Sequence, residues 1–165
     1  MSPAKDVTAA YSGTFDPITY GHVDVIVRAA RMFSRMLVAV AVNSGKQPMF
    51  TLEERVELVR ASLADVPNLE VVPWSELIVR LHQRRGVTVL VRGARGVGDF
   101  EYEKQMALMN RHLEPHIDTI MLAPAPEYTQ ISSSLVREIA GHGGDITGLV
   151  PEVVAAALRR KTAPR

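Results

Sequence analysis

The chain contains no cysteine. That removes disulfide scaffolding, thiolate nucleophiles and cysteine-ligated zinc from the chemistries open to it. Aromatic residues make up only 5% and the formal net charge is +1. No whole-molecule field therefore draws the chain to nucleic acid or to a membrane surface, and any anion site has to be built locally. Long hydrophobic runs are missing as well. The longest, residues 36–42, falls far short of the ~20 residues a bilayer span needs and suits a buried strand. Residues 1–7 carry no apolar core of signal-peptide length, so the expectation is a soluble, cytoplasmic domain. Neither G-x-x-x-x-G-K-[ST] nor a G-x-G-x-x-G after the first strand is present, which argues against P-loop hydrolases and ordinary dinucleotide dehydrogenases. His112 and His116 have i, i+4 spacing, but Pro115 ends the helix between them and no third ligand is evident, so no metal site is assigned there.

What is present is 47% hydrophobic content over 165 residues, enough for one domain spanning 1–165 with a full core. Strand-like segments at 7–11, 36–42, 69–72, 87–91 and 117–122 alternate with helix-like segments. The helices are expected at 20–33, 51–64, 75–84, 100–113, 132–140 and 151–161, with 161–165 as a frayed tail. Thr51 with Glu54 has the capping-box spacing, and Pro151 suits a first helical position. This alternation predicts an α/β fold: a doubly wound, Rossmann-like, five-stranded parallel sheet with helices on both faces. Trp74, Met106 and Met109 are read as packing or subunit-contact residues.

Polar residues collect after the strands, where such sheets bind ligands. After the first strand comes Gly13-Thr14-Phe15-Asp16-Pro17-Ile18-Thr19-Tyr20-Gly21-His22. After the second comes Asn43-Ser44-Gly45-Lys46, after the fourth Arg92-Gly93-Ala94-Arg95. After the fifth comes a loop, 123–131, then Ser132-Ser133-Ser134 with Arg137 one turn on. His22 by itself could be only a capping residue. Within the first helical turn and beside Gly21, it is aimed at whatever anion the loop receives. Lys46 directly follows a strand end. Arg92 and Arg95 would repel one another unless an anion lay between them, and their planar forks suit phosphate oxygens. Asp99, Glu101 and Glu103 open the next helix, where acids favour the dipole. The four loops together describe a polyphosphate cradle. Nothing resembles a nucleophile with an adjacent base. A polyphosphate site without a base suits attack by a ready-made anion, such as a phosphate on a nucleoside triphosphate.

These residues resemble a known superfamily. Thr19-Tyr20-Gly21-His22 is similar to the [HT]-x-G-H signature of the nucleotidylyltransferases, and Ile131-Ser132-Ser133-Ser134 with Arg137 to their I-S-S-T-x-x-R signature. Arg92–Arg95, the run from Phe50 to Arg55 and the run from Asp99 to Glu103 resemble most closely the phosphopantetheine adenylyltransferase family of coenzyme A biosynthesis. Two positions depart from the superfamily pattern: Thr19 stands for the first histidine, and Ser134 for threonine. The resemblance implies adenylyl transfer from ATP, with Mg2+, to 4′-phosphopantetheine. It implies catalysis by His22, Thr14, Lys46 and Arg95. It places ATP on Thr14, Phe15, His22, Gly93, Ala94, Arg95, Glu103, Tyr128, Thr129, Gln130, Ile131, Ser132, Ser133 and Ser134. It places phosphopantetheine on Thr14, Lys46, Ile78 and Arg92. It further implies a homohexamer, feedback inhibition by coenzyme A, and neither nucleic-acid nor membrane partners. The alternatives are a related enzyme with another acceptor, such as nicotinamide mononucleotide, and a non-catalytic nucleotide or coenzyme A sensor.

Overall fold

The run at 36–42 falls largely within the second of five parallel strands, and its continuous apolarity is explained by burial on both sides. The computed structural model describes residues 4–42 and 47–163. The strands are β1 (Ala4–Gly13), β2 (Phe33–Ala41), β3 (Leu69–Trp74), β4 (Val87–Gly93) and β5 (Asp118–Leu122), in the order β3-β2-β1-β4-β5. Along β2, Met36, Val38 and Val40 enter the larger apolar cluster, while Leu37 and Ala39 enter the cluster on the opposite face. The period of two thus feeds two cores at once. Pro73 lies in edge strand β3, where its missing N–H costs no ladder bond on the solvent side.

Six α-helices connect and cover the strands: α1 (Tyr20–Ala30), α2 (Leu52–Ser62), α3 (Arg80–Arg85), α4 (Val97–Leu113), α5 (Ser133–Gly141) and α6 (Glu152–Thr162). Thr51 and Glu54 form the expected reciprocal cap of α2 (2.8 and 3.2 Å). α3 is shorter than the expected 75–84. β3 continues to Trp74, whose carbonyl accepts from the Val42 N–H at 2.9 Å, and the chain then turns through bonds of i to i+3 type before the helix starts. α4 begins earlier than expected, at Val97, because Gly96 opens the turn and its carbonyl accepts from the Phe100 N–H. At the other end α6 includes Lys161 and Thr162, and Lys161 Nζ reaches Glu54 at 2.9 Å, so the last turn is docked rather than frayed.

The strand order has one functional consequence. β1 leads to β2 on one side, whereas β3 leads back across to β4 on the other. The carboxyl ends of β1 and β4 therefore flank the topological switch point, where a crevice opens.

Candidate active site

The first wall of the crevice is the loop from Thr14 to Thr19, and three buried groups hold it. Phe15 adopts a left-handed backbone (φ 49°) and buries its ring over Gly13, where an added Cβ would lie only 3.1 Å from the ring. The same ring meets His22 edge-on, with centroids 5.2 Å apart. Asp16 accepts the backbone N–H groups of Met49 and Phe50, both at 2.9 Å. Arg55 is buried (2% exposed) and donates to the carbonyls of Phe50 (3.3 Å), Thr14 (2.7 Å) and Ala41 (2.8 Å). It ties the ends of β1 and β2 to the segment before α2 with no carboxylate among these partners.

The second wall is the start of α5. Ser132 caps it, accepting from the Leu135 N–H at 3.1 Å. The Ser133 hydroxyl donates to the Pro17 carbonyl at 2.8 Å, and Arg137 donates to the Asp16 carbonyl while lying 3.7 Å from its Oδ2. The second signature is thereby bonded to the loop that leads into the first. The first amides of α5 and its positive dipole end face the crevice, a natural seat for an anion.

His22 stands between the walls. The Thr19 N–H lies 3.1 Å from His22 Nδ1, and a backbone N–H can only donate, so Nδ1 carries a lone pair. The proton of the neutral ring is then on Nε2. Burial, with Arg95 and Arg92 nearby, pushes the His22 pKa from 6.5 down to about 4. At neutral pH the ring is an uncharged hydrogen-bond donor. It is neither a base awaiting a proton nor a fixed cation.

The depressed pKa links His22 to stability. Between pH 6.5 and about 4 the unfolded chain protonates this histidine and the native chain does not. Stability is therefore full above pH 6.5 and falls as pH drops, by up to about 3 kcal/mol from this group. Melting curves of the protein and of His22→Gln from pH 7 to 4.5 should show the larger loss in the parent. Parallel losses would contradict the shift.

The arginines after β4 correct one inference. The anions beside them are protein carboxylates. Arg92 makes a bidentate pair with Glu103 (2.8 Å each) and donates to Ser12 O at 2.6 Å, and Arg95 pairs with Asp99 at 2.9 Å and donates to Ile131 O at 3.0 Å. Their mutual repulsion is offset within the fold, so it does not by itself demand a bound ligand. Sequence spacing could not reveal this, because α4 had to start at Val97 before Glu103 faced the sheet. Glu103 is accordingly the one buried residue of α4.

Three adjoining hollows result. A cleft of about 280 Å³ is walled by His22, Arg92, Gly93, Arg95 and Glu103 on one side and by Tyr128 and Ile131 through Ser134 on the other. The Tyr128 ring stacks on Tyr20, with centroids 6.0 Å apart. A second hollow, about 360 Å³, holds Thr14, Phe15 and Arg137 and shares His22, Ser133 and Ser134 with the first. A third, about 180 Å³, is lined by Ile78 and Met106 and shares Arg92 and Glu103 with the first. His22 and the Arg92–Glu103 pair are thus the partitions between compartments.

Most of the expected residues converge here, with exceptions. Gln130 is exposed and the Thr129 hydroxyl turns back to Ala125 O at 3.4 Å, so neither walls the cleft. Ala94 is engaged through its backbone N–H with Leu122 O at 3.1 Å. Lys46 lies outside the described residues. The sequence reading gave no role to Asp16, Arg55 or Thr119. The last lines the third hollow and has a buried hydroxyl with no hydrogen-bond partner. An arginine on the inward face of α2 was the available signal for Arg55.

The cytidylyltransferase-like family model matches residues 10–139. Curated phosphopantetheine adenylyltransferases from Proteus mirabilis, one from strain HI4320, are 48% identical over 157 residues, covering 95% of this chain and 98% of theirs. Among solved structures, one from Vibrio parahaemolyticus assigned as a nicotinate-nucleotide adenylyltransferase superposes with a TM-score of 0.68. It covers 98% of this chain and 95% of its own at 17% identity, a likeness of fold.

Proposed function

The chain belongs to the phosphopantetheine adenylyltransferase family, within the cytidylyltransferase-like enzymes, and from that premise we propose that it transfers the adenylyl group of ATP to 4′-phosphopantetheine. The products are dephospho-coenzyme A and pyrophosphate. The observation that carries the reading is the neutral His22 donor at the partition between hollows, flanked by Arg92, Arg95 and the α5 amino terminus.

In this reading ATP occupies the cleft against Gly93, Arg95, Tyr128 and the Ile131–Ser134 segment. The phosphopantetheine arm enters the third hollow past Ile78, and its phosphate is held by Arg92, Thr14 and Lys46. One oxygen of that phosphate forms a bond to the α-phosphorus of ATP. The bond from the α-phosphorus to the bridging oxygen breaks in line, and the electron pair leaves with pyrophosphate. The nucleophile is already an anion, so no base is required. His22 Nε2–H donates to an α-phosphate oxygen as charge shifts across it, and Arg95 and the α5 amides receive the leaving phosphates. Magnesium bound with ATP would supply further neutralisation of the phosphate charge. Asp99 and Glu103, the acidic residues of the cleft, are held by Arg95 and Arg92, so the chain's part in neutralising charge is its cations and amides.

The deciding assay is pyrophosphate release from ATP and magnesium with a panel of acceptors. Turnover with phosphopantetheine is expected. Turnover only with nicotinamide mononucleotide, or tight coenzyme A binding with no turnover, would sink the reading. Arg92→Ala should raise KM for phosphopantetheine by about tenfold or more, the loss of a charge-assisted contact, and raise KM for ATP less. Equal rises would contradict the role given to Arg92.

A homohexamer in the cytoplasm, with coenzyme A competing at the same cleft, completes the proposal. In support of assembly, α4 turns Val97, Leu108 and Met109 outward at 82, 64 and 54% exposure, apolar surface of a kind that marks subunit contacts. Sedimentation should give a mass several times the 18.1 kDa monomer, and Leu108→Glu should reduce it.

A further inference from the structure

At the amino-terminal ends of β4 and β5, opposite the ends that form the cleft, His82, Glu114 and His116 come together. His82 is on α3, while Glu114 and His116 lie in the connection from α4 to β5. A donor atom from each lies within 4.8 Å of the other two. We propose that these three residues form a binding site for a transition-metal dication of the zinc class, which cross-links α3 to the α4–β5 connection.

The hydrogen bonds carry the case. His82 Nδ1 lies 3.0 Å from the Val87 carbonyl. A carbonyl only accepts, so Nδ1 bears the proton, and Nε2 of the neutral ring carries a lone pair. His116 Nδ1 lies 2.9 Å from Glu114 Oε1, and a carboxylate likewise fixes the proton on Nδ1. Both imidazoles are therefore held in the same tautomer. One ring is anchored by a backbone carbonyl and the other by a carboxylate, the two supports that orient histidine ligands in metal sites. Among the described residues neither Nε2 has a hydrogen-bond partner. The rings are nearly parallel, 7° apart, with centroids at 5.3 Å.

The remaining fit is small. Donors on a tetrahedral zinc stand roughly 3.3 Å apart, and one ligand atom from each of the three residues already lies within 4.8 Å of the other two. The Glu114 side chain is 13% exposed and that of His116 76%, so the carboxylate is held in place and an ion can reach the imidazole from solvent. Two nitrogens and one oxygen suit Zn2+, Ni2+ or Cu2+, whereas Mg2+ prefers an all-oxygen shell. This metal is thus distinct in place and chemistry from the magnesium that accompanies ATP. His112, one turn before His116 on the sequence, is not a member of the cluster. The second imidazole comes from α3, which spacing along one helix could not indicate.

The test is calorimetric titration of the chelator-stripped protein with zinc chloride, with Co2+ as a visible probe. One zinc per chain is expected, with d–d absorption for Co2+ and a melting temperature raised by zinc. His82→Ala and His116→Ala should each weaken zinc at least about tenfold, His112→Ala should not, and millimolar Mg2+ should not compete. His116 is exposed, so His116→Ala should melt with the parent in the absence of metal yet gain nothing from zinc. No saturable zinc binding, or binding unchanged in the His82→Ala/His116→Ala double variant, overturns the proposal. Adenylyl transfer does not enter these readouts, so the two readings stand or fall separately.

Discussion

Replacing His22 with alanine is expected to lower kcat about 10²–10³-fold, or about 3–4 kcal/mol of barrier, the loss that follows removal of one preorganised donor to a developing charge. The magnitude rests on protonation state. The Thr19 N–H occupies Nδ1, and burial with two neighbouring arginines keeps the ring uncharged down to about pH 4. What the ring offers the α-phosphate is one Nε2–H, oriented before substrate arrives. Because charge on that phosphate rises only on the way to the transition state, KM for ATP should change little. The kcat profile of the free-standing parent should show no His22 ionisation between pH 6 and 9. A variant that raises KM with kcat intact would make His22 a ground-state contact and remove the mechanism given to it.

Arg55→Leu is expected to cost about 2–4 kcal/mol of stability and, at this chain length, roughly 6–12 °C of melting temperature. Buried charges paired with carboxylates can often be exchanged for apolar groups at little cost, because both ions leave together. Arg55 differs: its listeners are three main-chain carbonyls, of Thr14, Ala41 and Phe50, and these stay behind. Leucine fills part of the volume and satisfies none of them. Since the three carbonyls belong to the ends of β1 and β2 and to the lead into α2, the loss should also loosen the loop that seats Phe15 and His22. Activity below the melting transition should therefore fall too. Arg55→Lys, with one ammonium in place of a fork, should land between the two. Denaturant unfolding measures the cost, and a loss under about 0.5 kcal/mol would show that the carbonyls find water instead.

The central strands were legible because they are short apolar runs that a parallel sheet buries on both faces, and three of the helices because Thr51, Ser132 and Pro151 punctuate them. The boundaries that moved did so for tertiary reasons. Trp74 remains in the sheet because Ala41 pairs with it, and Lys161 stays helical because Glu54 is there to meet it. The loops that form the cleft were legible as well, since glycine, arginine and serine gather after the strands, although the partners of the two arginines were not.

The linear chain by itself determined the class of fold, the end of the sheet where the cleft opens, and the family, because periodicity and local motifs are properties of neighbouring residues. Tertiary structure alone decided which groups face one another. It satisfied the Arg92–Arg95 pair with Glu103 and Asp99, put Arg55 among three carbonyls, and brought His82 to Glu114 and His116, while the Thr19 N–H fixed the His22 proton on Nε2. The Arg55 and His82 contacts depend on distances between segments remote in sequence, and electrostatic and hydrogen-bond energies are set by those distances, not by spacing along the chain.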